Sequence, residues 1–123
     1  MKHPEKFSLR SRANSFRYAI AGILAFIRQE PNARIHAVAT VAVVIAAIVF
    51  HVSYLEAAVL AVVTGGVWIT EMLNTCLERM ADVAHPEFHP TIKFIKDLAA
   101  GAVLVAAVTA VVVALFIFIH KLL

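Results

Sequence analysis

The stretch LAAGAVLVAAVTAVVVALFIFI, Leu98 to Ile119, contains no charged residue and one hydroxyl, Thr109. About 20 helical residues cross the ~30 Å hydrocarbon core of a bilayer, and this run reaches that length. A water-soluble domain has no place for a helix without a polar face, so the surrounding solvent is lipid. Composition agrees. The 123 residues are 62% hydrophobic and 15% charged, with a mean hydropathy of +0.86. The single Cys76 excludes an intrachain disulfide.

Working outward, two further apolar segments precede this one. Ala37 to Phe50 is unbroken and extends back to Asn32, and Ala57 to Thr70 continues through Glu71 to Leu73. Both are short as purely apolar runs, so they span only if their ends carry polar residues into the interface. The spacing predicts transmembrane helices over 32–50, 54–84 and 91–120, the latter two with cytoplasmic extensions. Near the N-terminus, Leu9, Ala13, Phe16, Ile20, Ile23, Leu24 and Ile27 repeat at helical spacing, with Arg10, Asn14, Arg17 and Arg28 on another face. This predicts an amphipathic helix over 5–29, lying on the membrane surface or packed on the protein's own spans. Ala19-Ile20-Ala21 mimics a signal-peptidase triplet, but it begins the apolar run rather than following it. The whole chain, 1–123, reads as one all-α membrane domain.

Basic residues give an orientation. Seven Lys or Arg precede the first apolar run (Lys2, Lys6, Arg10, Arg12, Arg17, Arg28 and Arg34), the HVSYLE connection has none, and Arg79, Lys93 and Lys96 lie in or beside the second connection. The positive-inside rule places the N-terminus and that second connection in the cytoplasm, and the C-terminus outside. Nothing in the pattern suggests nucleic acid.

The acids then gather on one side. Of eight Asp and Glu, only Glu56 is assigned to the outer surface. At about 100° per residue, Glu71, Asn74, Glu78 and Asp82 fall within an arc of roughly 80° on the second span. Glu30 and Lys96-Asp97 reach the same level from the first and third spans. Two carboxylates at a membrane surface can hold Mg²⁺ while the ion keeps waters and shares phosphates. A carboxylate deeper in, such as Glu71, suits a general base taking a proton from a hydroxyl, and Lys96 can neutralise a phosphate. These are the parts of phosphoryl transfer. On residue chemistry alone, a proton-coupled carrier and a purely structural polar seam also stand, since an intramembrane Glu serves either. There is no P-loop and no protein-kinase signature. His85 and His89 are four apart, but Pro86 and Pro90 bracket them, against a regular helical zinc site. Arg34, Arg79, His36 and His51 read as interfacial residues.

Three motifs, EMLNTCLERMAD (71–82), PEFHP (86–90) and KDLAAGAV (96–103), resemble the small integral-membrane lipid kinases of bacteria, the prokaryotic diacylglycerol kinases and undecaprenol kinases. SFRYAIAGI (15–23) and EPNARIH (30–36) resemble that family's surface helix and first-span entrance. The likeness runs in order over nearly the whole chain. It implies a homotrimer, each subunit with a surface helix and three spans, in the bacterial inner membrane. It further implies active sites at the cytoplasmic side between subunits, where ATP with Mg²⁺ gives its γ-phosphate directly to a lipid hydroxyl. At matching positions Glu71 resembles the proton acceptor, Asn74 an orienting group, and Glu30 with Glu78 the metal ligands. Tyr18, Glu87, His89, Lys96 and Asp97 match nucleotide-contacting positions. For an N-terminal arginine serving ATP, the nearest candidates are Arg12 and Arg10. Cys76 stands where the pattern usually has alanine, and His36 where the Gram-negative diacylglycerol enzymes have an acid. His36, together with NARIH (32–36), PEFHP (86–90) and AAGAV (99–103), lies nearer the undecaprenol kinases, making undecaprenol the expected acceptor and diacylglycerol the alternative.

Overall fold

The computed structural model describes residues 7–123; the expected helix start at residue 5, together with Lys2 and Lys6, lies outside them. Four helices follow in order: α1 (Leu9–Gln29), α2 (Pro31–Val49), α3 (Tyr54–Ala84) and α4 (Pro90–Leu122). The helices α2, α3 and α4 are each long and apolar enough to cross a membrane. The chain is an all-α membrane protein.

Local chemistry fixes each boundary. Ser8 caps α1 by accepting from the Ser11 amide at 3.0 Å, an N-cap arrangement that satisfies an otherwise orphaned donor. Glu30 breaks the chain between α1 and α2: its backbone is extended, its N–H closes α1 on the Phe26 carbonyl, and Pro31 opens α2. Proline is suited to that first helical position because the N–H it lacks would have no helical partner. The Arg34 guanidinium reaches back to the carbonyls of Ile27 and Arg28, tying the corner shut.

The α2–α3 turn is tight. His51 adopts the left-handed conformation, φ 52°, and Val52 donates to the Ala47 carbonyl at 3.2 Å. Ser53 then starts α3 with a capping box: its hydroxyl accepts from the Glu56 amide, and Glu56 accepts from the Ser53 amide at 2.9 Å. At the same end of the bundle Lys121 pairs with Glu56 at 2.9 Å, and Phe50 meets Phe118 with ring centroids 5.6 Å apart. The end of α4 is thereby pinned to the start of α3.

The most extensive helix pair is α3 with α4, with smaller contacts between α1 and α2 and between α2 and α3. Trp68 donates from Nε1 to Thr40 Oγ1 at 2.8 Å, joining α3 to α2. Its ring also meets Phe26 of α1 edge-on, centroids 6.2 Å apart. Few side chains are buried within the single chain: Phe26, Ala33, Leu60, Val67 and Ala81 among the apolar ones, and none on α4. A β-carbon built on Gly65, Gly66 or Gly101 would meet nothing within 4 Å. A side chain at any of these positions would therefore enter open space within the chain.

Candidate active site

Glu71 and Asn74 are the buried polar side chains among the described residues, Glu71 at 4% exposure. They lie one turn apart on α3, and Glu71 faces α2. Glu71 Oε1 accepts from Asn32 Nδ2 and Oε2 meets His36 Nε2, each at 3.4 Å. A carboxylate at that depth is costly in lipid unless it finds donors, and α2 supplies two. Asn74 donates from Nδ2 to Glu78 Oε1 at 3.4 Å. Its Oδ1 is buried without a partner among the described residues.

Around this line the charges are paired. Arg79 donates to Glu30 Oε1 at 2.7 Å and to Gln29 Oε1 at 2.9 Å, joining α3 to the α1–α2 corner. Lys96 pairs with Asp82 across α4 and α3. One turn earlier in α4, Lys93 meets Asp97 at 2.5 Å. In the α3–α4 connection, His85 Nδ1 lies 2.8 Å from the Glu87 carbonyl and its ring lies edge-on to His89, 5.2 Å between centroids. His89 also caps α4 by accepting from the Thr91 amide. A small pocket joins this connection to the neighbouring helices, lined by Asp82, His85, Glu87, His89 and Lys96.

The remaining expected residues stand apart on α1. Tyr18 and Arg10 border a shallow polar depression with Asn14 and Ser15, and the Arg12 guanidinium sits 5.3 Å over the Phe7 ring. No hydrogen bond or ion pair among the described residues joins Tyr18, Arg12, Glu87 or Lys96 to Glu71. In one chain the structure brings together Glu71 with Asn32 and His36, Asn74 with Glu78, and Glu30 with Arg79.

Would Mg²⁺ fit? Glu30, Glu78 and the partnerless Asn74 Oδ1 are hard oxygen donors of the type this ion takes. Among the described residues no three His, Cys, Asp or Glu side chains converge as a self-sufficient metal site. Mg²⁺ is commonly held by one or two carboxylates with water and phosphate oxygens completing its shell. The donor set is compatible with the ion.

Next to the line of polar groups lies an apolar cleft of about 260 Å³ between α2, α3 and α4. Its walls include Val43, Leu60, Val63, Val67 and Ala110, and His36 stands in its lining.

The prokaryotic diacylglycerol kinase family model matches residues 17–118, taking in all of these groups except those at the N-terminal end of α1. The chain belongs to the prokaryotic diacylglycerol kinase family. This is a family of lipid kinases. Among its curated members, a diacylglycerol kinase of Synechocystis sp. is 45% identical over 100 residues, 80% of this chain and 57% of that protein. An undecaprenol kinase of Bacillus subtilis is 39% identical over 108 residues, 88% of each chain. The chain thus spans little more than half the length of the first relative and most of the second. No solved structure matches significantly.

Asn32, His36, Gln29 and Arg79 are residues of this region whose roles the sequence did not bring out. One local signal existed: Asn32 and His36 are four apart, so they share a face of α2. The Arg79–Glu30 pair joins residues 49 positions apart, with no local periodicity to mark it.

Proposed function

We propose that this chain transfers the γ-phosphate of ATP to the hydroxyl of a membrane lipid, at the cytoplasmic face of a bacterial inner membrane. Undecaprenol is the acceptor favoured, with diacylglycerol as the alternative. The observation that carries this reading is the placement of Glu71: a carboxylate buried in a membrane helix, in contact with His36 of an apolar cleft and on one face of α3 with Asn74 and Glu78. A lipid alcohol reaches such a carboxylate from the bilayer side, while phosphates approach from water.

In this reading Glu71 accepts the hydroxyl proton as the lipid oxygen attacks phosphorus, so no covalent enzyme intermediate is needed. Asn74 orients the reacting groups. Glu30 and Glu78 hold Mg²⁺, which when bound neutralises charge on the phosphate oxygens. Lys96 offers its ammonium to a phosphate, exchanging Asp82 for it. Asp97, Glu87, His89, Tyr18 and Arg12 are assigned to the nucleotide. The N-terminal helix lies on the inner leaflet, where its basic face meets anionic headgroups. Three copies assemble, since the small-residue faces and the unburied α4 call for partners. The acceptor preference rests on His36 and on the undecaprenol kinase of Bacillus subtilis, which matches over most of both chains.

The test is incubation of the purified protein with radiolabelled ATP, Mg²⁺ and a bacterial lipid extract, followed by chromatography. Label is expected in polyprenyl monophosphate. Label in phosphatidic acid alone would move the assignment to diacylglycerol, and no labelled lipid at all would defeat the kinase reading.

A further inference from the structure

Glu71 is the buried carboxylate among the described residues, and its environment differs from that of the other acids at this level. Arg79 goes to Glu30 and Lys96 to Asp82; among the described residues Glu71 receives no guanidinium or ammonium group. Instead two side chains of α2, one helical turn apart, each take one of its oxygens: Asn32 at Oε1 and His36 at Oε2, both at 3.4 Å. A carboxylate offers about four acceptor sites, and this arrangement occupies two. A salt-bridging cation in the same place would compete with any proton the carboxylate was meant to collect. A side-chain nitrogen at each oxygen can orient the group and still leave lone pairs to accept. His36 is also placed between this carboxylate and the lipid side: its side chain is 20% exposed against 5% for Glu71, and it lines the apolar cleft.

We propose that His36 is a positioning residue for the acceptor step. Resting on Glu71 being the proton acceptor, the inference assigns to the neutral imidazole, protonated at Nε2, the task of donating to Oε2. With Asn32 holding Oε1, the carboxylate keeps one orientation across the α2–α3 gap while its remaining lone pairs meet the incoming hydroxyl. His36 acts through Glu71, so its loss lowers the rate of the chemical step and leaves nucleotide capture alone.

Two substitutions of similar bulk separate this from a packing role. His36→Leu removes the donor, and His36→Gln keeps an N–H at comparable reach. With the full chain in lipid–detergent micelles, His36→Leu is expected to lower kcat by about 10- to 100-fold, the usual range for losing a hydrogen bond that supports a reacting group. Its KM for Mg·ATP and its binding of a non-hydrolysable ATP analogue should match the wild type, and His36→Gln should recover most of the lost turnover. Wild-type turnover in His36→Leu overturns the inference. So does equal impairment of the two variants, or loss of analogue binding in His36→Leu. Glu71→Gln, measured in parallel, distinguishes the two levels: normal turnover there defeats the base assignment itself. Loss of turnover in Glu71→Gln beside an unimpaired His36→Leu rejects only the role of His36.

Discussion

Replacing Glu71 by Gln keeps the shape and a carbonyl for Asn32 while removing the charge that accepts a proton. Turnover is predicted to fall by about 10³-fold or more, since general-base catalysis contributes on the order of 10²–10⁴. Binding of an ATP analogue should persist, as measured by equilibrium dialysis. The opposite signature belongs to Glu78, half-exposed and hydrogen-bonded to Asn74: Glu78→Gln should raise the Mg²⁺ concentration needed for half-maximal turnover by about 10-fold, a typical cost of disturbing a metal's protein shell. An unchanged metal titration removes Glu78 from that role. The line of Glu71, Asn74 and Glu78 was legible in the sequence because the pitch of a helix converts spacing into direction. The partners of Glu71 were not. Asn32 and His36 meet it only because α2 lies beside α3 at one rotation and height, and those are decided by packing between helices. Arg79 shows the same limit: its i,i+4 neighbourhood gives no hint of Glu30 on another element.

At the scale of elements, corners matter more than spans. The α3 start combines the Ser53–Glu56 capping box with the Lys121 ion pair. Ser53→Ala removes an N-cap acceptor and is predicted to cost about 1 kcal/mol, read as a lowered thermal midpoint in detergent with kcat unaltered. No midpoint shift would show the cap to be idle. On the opposite side, Arg79→Ala cuts the tie between α3 and the Glu30 corner. Hydrogen exchange of the amides around residues 29–33 should then accelerate relative to the rest of α2, and equal rates in both proteins would count against the tie. Of the three helices long and apolar enough to span, α4 could be foreseen from its uncharged run alone, and α2 and α3 from shorter apolar runs extended by polar ends. The corners were harder to foresee, since they depend on where a single extended residue, Glu30, interrupts two helix-favouring stretches.

At the scale of the molecule, one chain leaves much apolar surface without a protein neighbour, including Leu104, Val105 and Phe116 on α4. Lipid can cover these, but the small-residue faces around Gly65-Gly66 admit a second backbone more readily than an acyl chain. Chemical cross-linking in detergent is predicted to end at three copies, and a ladder stopping at one species or running on indefinitely would exclude that assembly. Copy number was not legible in the single chain, because the pattern of small residues marks a contact without giving its symmetry. The α4 helix buries none of its residues within the chain. If copies assemble through this helix as proposed, a bulky side chain introduced on its outer surface should leave the single chain sound and penalise only the encounter between copies. By mass action such a lesion weakens as the protein becomes more abundant in the bilayer, so its severity would follow expression level and dilution rather than temperature alone.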